Sequence, residues 1–457
     1  MFALSARRRS PRSLALFVLL VSAFALAIWR SPSLPVAGFV DHAVITEPAA
    51  AATPAPAFAS RFVSHASERF VHAASMTALP DGGLYAAWFG GTREGADDVR
   101  IYGSRFDPAS QQWSAEQVLV TREQTEAALG MRIRKLGNPV LAAAPDGRIW
   151  LIYVSVSLGG WATSNLNLMT SADGGQSWSA PQRLVMTPFF NLSTLVRGKP
   201  LFHTDGSLGV PVYHEALAKF PEYARIDASG RVLDKVRMDY GRETLQPYVV
   251  ALSENDALAL LRDDSPARAV SVSRTSDAGR SWSAPQLTDM PNPNAAIAAV
   301  RYNDDELLVA LNDLKKDRYR MSLYRVDNAL QRWQLVDVLD AAPNGEAGPM
   351  PFAEFQTALS ERFLASAAPD QQSLLPAYLA EWSDSDPRGC KRGACEFRYD
   401  YPYLLQTTAD RFELMYSWNK SMIKHVSFTR AWVESKAVEG NALASQAVEN
   451  KAAEVQP

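Results

Sequence analysis

A short motif recurring along the chain constrains its fold more than any other feature. Residues 171–184 read SADGGQSWSAPQRL and residues 275–287 read TSDAGRSWSAPQL, sharing Ser/Thr-x-Asp-x-Gly-x-Ser-Trp-Ser-Ala-Pro-Gln. Looser copies run from Asp107 to Trp113 and from Asp327 to Trp333, and the copy at Asp227 has lost its Trp. The five Asp positions step by about 50 to 66 residues. At such a period each repeat is one supersecondary unit that buries its apolar face only against its neighbours. Within the motif, Asp is suited to capping a tight turn, Gly to a positive φ and Trp to packing between strands. These residues hold a turn and are not expected to do chemistry.

A second repeat interleaves with the first: a turn of Asp, Gly or Asn followed by an apolar strand, at Asp81, Asp146, Asp205, Asp256, Asp304 and Asp410. The flanking segments YAAWF, IWLIYVS, LALLR and LLVAL are short and rich in aromatic and branched residues, as strands are. Six such units, each near the roughly 40 to 50 residues of a four-stranded blade, predict an all-β, six-bladed β-propeller over residues 60–433. The gap before the last unit is longer. There, residues 352–382 carry apolar residues at helical spacing, which predicts a helical insertion before the last blade, at about 350–392.

The ends read differently. Residues 7–12 are RRRSPR and residues 13–29 are SLALFVLLVSAFALAIW, a basic flank and an uncharged apolar run at the lower length limit for a membrane span. Residues 1–29 are therefore expected to be a signal and membrane-anchor helix, with the basic side in the cytoplasm and the rest periplasmic or extracellular. Cleavage at Ala25-Leu26-Ala27 would instead release a secreted chain. Residues 30–59 read as an Ala/Pro-rich linker and residues 434–457 as a disordered tail. On an exported chain the five-residue spacing of Cys390 and Cys395 favours a local disulfide. Lys and Arg total 46 against 49 Asp and Glu, with no basic stripe beyond the first dozen residues, which argues against a nucleic-acid partner. Two cysteines and six scattered histidines show no ligand spacing, so neither a metal nor a cofactor is expected.

Ser/Thr-x-Asp-x-Gly-x-x-Trp turns in a six-bladed pattern resemble the Asp-boxes of the sialidase (neuraminidase) superfamily, and the resemblance spans about Arg61 to Trp432. It implies a glycoside hydrolase in which an arginine triad clamps a substrate carboxylate bidentately. An Asp acid/base and a Tyr nucleophile paired with a Glu complete that site, the Tyr replacing the usual carboxylate nucleophile. Matched residue by residue, Arg93 and Asp97 or Asp98 are similar to the loop arginine and the acid/base. Arg262 corresponds to the second triad arginine, Arg318 or Arg320 to the third, and Tyr401 to the nucleophile. Two positions depart from the pattern: His72 stands where the first triad arginine belongs and Gln246 where the Glu belongs. The leading reading is an exported sialidase-like hydrolase acting on an acidic oligo- or polysaccharide.

Two alternatives accompany it. Related propellers include uronate lyases that use His and Tyr for proton abstraction and return, roles that His72, His214 and Tyr223 could fill with Glu215 alongside. A non-catalytic carbohydrate-binding propeller is the third reading. Plainer roles stand beside each candidate: a strand-end hydrogen bond for His72 and His214, inter-blade ion pairs for Arg262 and Arg320, core packing for Tyr401, and a solvated turn for Asp97 and Asp98. His42, His65 and His203 are expected to be structural or exposed.

Overall fold

The computed structural model describes residues 11–30, 36–40, 55–64, 69–187, 191, 193–238, 241, 243–345 and 348–436. The chain divides into two units, Met1–Val36 and Ala37–Pro457. In the first, Pro11–Arg30 is helical. Among the described residues no helix is long and apolar enough to cross a membrane, so the anchor role of this segment rests on its sequence. His42, His65, the spacer at 41–54 and most of the tail, 437–457, lie outside the described residues.

The second unit is all-β apart from short helices. Among the described residues it holds six antiparallel sheets of four or five strands, beside a small three-stranded one, and in chain order the first strands of the six are Phe70–Ala78, Lys135–Ala143, Leu195–Val196, Thr244–Ala251, Ala298–Arg301 and Tyr399–Thr408. Five sheets are built from consecutive strands. The sixth takes its outermost strand from the other end of the chain, with Phe58–Phe62 pairing antiparallel to Met422–Thr429. First strands of neighbouring sheets pack on one another, except that Thr244–Ala251 of the fourth sheet packs on Leu208–His214 and Phe220–Ile226 of the third, and the first strand of the sixth sheet packs on that of the first.

Both full copies of the turn motif form the same hydrogen-bonded knot. In the first, Ser171 donates to Asp173, Asp173 accepts from the Ser177 amide (2.9 Å), and Trp178 Nε1 donates to the Gly175 carbonyl (3.2 Å). In the second, Thr275, Asp277, Ser281, Gly279 and Trp282 repeat each bond. These serine hydroxyl and amide donors hold the Asp173 carboxyl down at about 2. Each knot also clamps a tyrosine from the preceding sheet. A Cβ on Gly175 would lie 2.1 Å from the Tyr85 ring and one on Gly279 3.0 Å from the Tyr223 ring, with Trp178 and Trp282 each 5.8 Å from the same tyrosine rings. The weaker copy at Asp107 departs from this, its Trp113 donating to His425 Nδ1 instead.

The insertion contains helices at Phe352–Ser366 and Leu375–Ala380. Phe355, Leu359 and Phe363, four residues apart, are fully buried against the sixth sheet, since side chains at i and i+4 share a helix face. Gln371 bonds both the N–H and the C=O of Phe62 (2.8 and 2.7 Å), acting as a substitute strand on an otherwise open edge. Cys390 and Cys395 form the expected disulfide.

One expectation about the linker is corrected. Ala37 and Phe39 are buried, with the Phe39 amide donating to Glu254 O and the Val40 amide to Phe202 O. Phe39 packs between His203 and Tyr223. Phe39 is an apolar anchor in a segment whose composition reads only as spacer.

Candidate functional site

The place where the first strands meet is built from backbone irregularities. Four first strands shift register at equivalent points, between His72 and Ser75, Gly137 and Val140, Leu245 and Tyr248, and Asp400 and Tyr403. Within each shift a residue other than glycine turns left-handed: Ala73 (φ 54°), Asn138 (43°), Gln246 (50°) and Tyr401 (54°). Ser193 (51°) and Asn294 (56°) do so just ahead of the first strands of the third and fifth sheets. Such conformations cost roughly 1–3 kcal/mol each and persist only where the surroundings over-determine them. Bulges re-aim side chains, and here they gather one group from every sheet.

Tyr401 is the centre of this gathering and is only partly buried. Its ring meets His72 edge-to-face at 4.5 Å, and its hydroxyl lies 3.5 Å from Gln246 Nε2. Arg262 donates from Nη1 to Gln246 Oε1 (3.1 Å), so the Gln246 amide presents its N–H groups to the hydroxyls of Tyr213 (3.2 Å) and Tyr401. Asn294 draws the two clamp candidates together: its side-chain oxygen accepts from Arg262 Nε and its carbonyl from Arg318 Nη2 (2.7 Å). Arg318 also bonds Asp400 (2.7 Å), whose second oxygen accepts from Arg398 (2.7 Å).

From the third sheet Arg197 reaches the sixth. It is buried, donates from Nη2 to the carbonyls of Tyr401 (2.7 Å) and Pro402 (3.1 Å), and sits 5.2 Å from the Tyr401 ring centroid. Among the described residues its Nε and Nη1 have no hydrogen-bond partner.

Burial and charge set the protonation states. Burial, offset only in part by Asp400, drives the His72 imidazole well below its usual range, so it is neutral at pH 7. Burial also works against ionisation of Asp400, but Arg318 and Arg398 outweigh it and hold the carboxyl far below the usual carboxylate range. Glu215, whose amide is held by Ser193 Oγ (2.9 Å), is raised by burial despite Arg262 and Lys219. Glu94 is near enough to act electrostatically on Arg318, Lys420 and Glu215.

The structure thus brings together His72, Gln246, Arg262, Arg318 and Tyr401, with Glu215 beside them. Arg320 points elsewhere and pairs with Asp313 (2.8 Å). Asp98 is committed to its own loop, accepting from the Thr92 amide and hydroxyl (3.0 and 3.1 Å). Asp97 and Arg93 line a separate cleft. His214 stacks on Phe220 at 4.7 Å. Tyr223 is corrected outright as a site residue: it is buried, its hydroxyl is bonded to His203 Nε2 (3.0 Å), and its ring is gripped by the second turn motif. His203 is, as expected, structural. The lyase constellation of His72, His214 and Tyr223 does not assemble.

Sequence reasoning missed Arg197, Asp400, Arg398 and Glu94. The signal for Arg197 was its isolation in the apolar run Ser193-Thr-Leu-Val-Arg197, and for Asp400 its adjacency to Tyr401.

Residues 82–414 match the family model described as a BNR repeat-like domain. Among curated proteins none matches the sequence. Among solved structures, the Hadza microbial sialidase Hz136 is similar at 15% identity, covering 81% of this chain and 68% of that one, with a TM-score of 0.57. The intramolecular trans-sialidase from Ruminococcus gnavus, solved with oseltamivir carboxylate, is similar at 11% identity over 81% and 96% of the two chains (TM-score 0.54). A protein of unknown function from Dyadobacter fermentans is similar at 13% over 82% and 100% (TM-score 0.58). With the family model spanning most of its length, the chain belongs to the BNR repeat-like family, and its fold is shared with the sialidase structures named above.

Proposed function

We propose that the six sheets close into a six-bladed propeller and that the chain is an exported, membrane-anchored glycoside hydrolase acting on an acidic glycan. The observation that carries the reading is the convergence of Arg262 and Arg318 on Asn294 beside the half-buried Tyr401. Two guanidinium groups suit a sugar carboxylate. The phenol oxygen then attacks the anomeric carbon, and a neutral nucleophile meets no repulsion from the carboxylate borne there. Gln246 donates to that oxygen and favours its developing phenolate, yet an amide cannot take the proton. Glu215, raised by burial and electrostatically coupled to Tyr213, is the carboxylate suited to accept it. Glu94, whose charge reaches Arg318, is the carboxyl we assign to protonate the leaving oxygen in place of Asp97 or Asp98. The export signal and anchor reading rests on the basic-then-apolar N-terminus.

The test is turnover of a fluorogenic sialoside and of uronate polymers by the purified full chain. Tyr401→Phe should lower kcat by at least ~10² with little change in KM. Full turnover by Tyr401→Phe would refute the role of Tyr401. Gln246 also favours a second reading, a carbohydrate-binding propeller without turnover. Sialic acid binding that needs Arg262, with no released product from any substrate, would select it.

A further inference from the structure

A cleft of about 570 Å³ opens beside the loop Thr92–Val99, lined by Arg93, Arg122, Arg132, Arg134 and the single carboxylate Asp97. Four guanidiniums face one carboxylate there, in a chain whose net charge is −3. Among the described residues the side chains of Arg93, Arg132 and Arg134 make no hydrogen bond or ion pair. Arg122 pairs through Nη2 with Glu123 (2.7 Å), while its buried Nε lacks an acceptor.

This concentration is built by the fold. Arg122 opens the helix Arg122–Leu129, which Thr121 and Gln124 cap reciprocally, and Gly130 ends it in the left-handed region (φ 61°). Glu126 Oε1 then accepts from the Ile133 amide (2.8 Å), and the Arg134 amide donates to Val156 O (2.7 Å). Ile133 is fully buried, and in an extended segment its neighbours point the other way, so Arg132 and Arg134 are turned to solvent together. The cleft also adjoins the candidate site. The loop that gives it Arg93 and Asp97 carries Glu94, which acts on Arg318 and Lys420. Lys135, next after Arg134, lies against Gly95 and over the Trp161 ring at 3.7 Å.

We propose that this arginine cleft is a second binding subsite, for the carboxylate or sulfate of another sugar unit, so that the ligand of this protein is a polyanionic chain rather than a singly charged terminal sugar. The proposal rests on the glycan-binding reading of the neighbouring site but not on its catalysis, because binding in the cleft does not involve Tyr401.

Calorimetric titration of the full chain distinguishes the sources of charge. The probes are a hyaluronan tetrasaccharide, which carries carboxylates only, a heparin tetrasaccharide, which carries sulfates as well, and neutral chitotetraose. At least one anionic probe should bind with an affinity that falls as salt rises, and chitotetraose should bind far more weakly. Arg132→Ala/Arg134→Ala should weaken the anionic probe by at least ~tenfold per arginine, since each lost bond to a charged group is worth about a factor of ten or more. Both residues are exposed, so thermal unfolding should be unchanged. Tyr401→Phe should bind as the parent does even where it abolishes turnover, which separates failure of the subsite from failure of the hydrolase reading. Binding of no anionic probe, equal binding of chitotetraose, or parent-like affinity in the double variant would overturn the proposal.

Discussion

Replacing Asp400 by Asn tests the electrostatic frame under Tyr401 most directly. The carboxylate is 1% exposed and accepts from Arg318 and Arg398, both at 2.7 Å. The substitution keeps one acceptor oxygen and turns the other into an NH₂ group facing a guanidinium, donor against donor. Breaking a buried pair in this way costs about 3–5 kcal/mol. Arg398 is 39% exposed, so water recovers much of its lost contact, whereas Arg318 at 15% is recovered less well. The expected loss is therefore near the lower end, about 3 kcal/mol.

Urea unfolding followed by tryptophan fluorescence measures it as a lower midpoint at pH 7. The pH dependence has a definite sign. The folded-state pKa of Asp400 is depressed, so its contribution is fully present above the unfolded value of about 3.9 and is lost as pH falls below it. The gap between parent and variant should thus be flat from pH 7 to about 5 and shrink below about 4. Equal urea midpoints at pH 7, or a gap that closes already near pH 6, would refute the assignment of Asp400 as a charged buried partner.

His72 has the opposite chemistry with the same sign of slope. Its folded pKa is depressed by burial, so the unfolded chain takes up a proton below about 6.5 and the folded one does not; His72→Gln should flatten a stability loss of up to about 1.4 kcal/mol per pH unit on acidification. Arg197→Met leaves the Tyr401 and Pro402 carbonyls without their donor. Turnover should fall at least ~tenfold with KM nearly constant, and Arg197→Lys should restore part of it; unchanged kcat in Arg197→Met would remove its positioning role. Cys390→Ser/Cys395→Ser should cost roughly 2 kcal/mol by loop entropy, and thiol labelling of the denatured, unreduced parent should find no free cysteine.

The repeat pattern carried most of the architecture because a turn and the strand after it are local features. Asp173 and Asp277 bond residues within four positions of themselves, so their role can be read from a short window. The all-β class, the helical insertion and the disulfide were legible for the same reason. The site was legible only where a residue falls at a recognisable place along a strand, as His72, Gln246, Arg262 and Tyr401 do. Arg318 and Arg320 could not be separated by spacing, because the choice depends on Asp313, in the loop after Glu306–Leu311, and on Asp400, in the sixth sheet. Tyr223 misled because a polar-tipped ring at a strand centre looks the same in sequence whether it faces a site or, as here, a glycine of the next sheet's turn. Arg197 reaches the Tyr401 carbonyl 204 residues on and Asp400 reaches Arg318 82 residues back, so their positions hint at a role while the partners themselves are not written locally.

The two departures from the sialidase pattern are better understood together than singly. Where an arginine belongs, burial keeps His72 neutral, which removes one positive charge; where a glutamate belongs, Gln246 removes one negative charge. The net charge around Tyr401 is therefore the same as in the pattern, although both members of the exchange are different. A guanidinium at position 72 would have joined Arg318, Arg398 and Lys420 around Asp400. A carboxylate at position 246 would have joined Glu215 beside Tyr213. Neutralising both relieves like-charge crowding on each side, and it leaves Arg262 tied to an amide by a neutral acceptor rather than locked into an ion pair. In the proposed reaction that leaves Arg262 and Arg318 free of one competing carboxylate, so a substrate carboxylate meets its clamp with less internal competition. In the proposed reaction the same exchange leaves Glu215, a carboxyl raised by burial, as the group assigned to accept the proton.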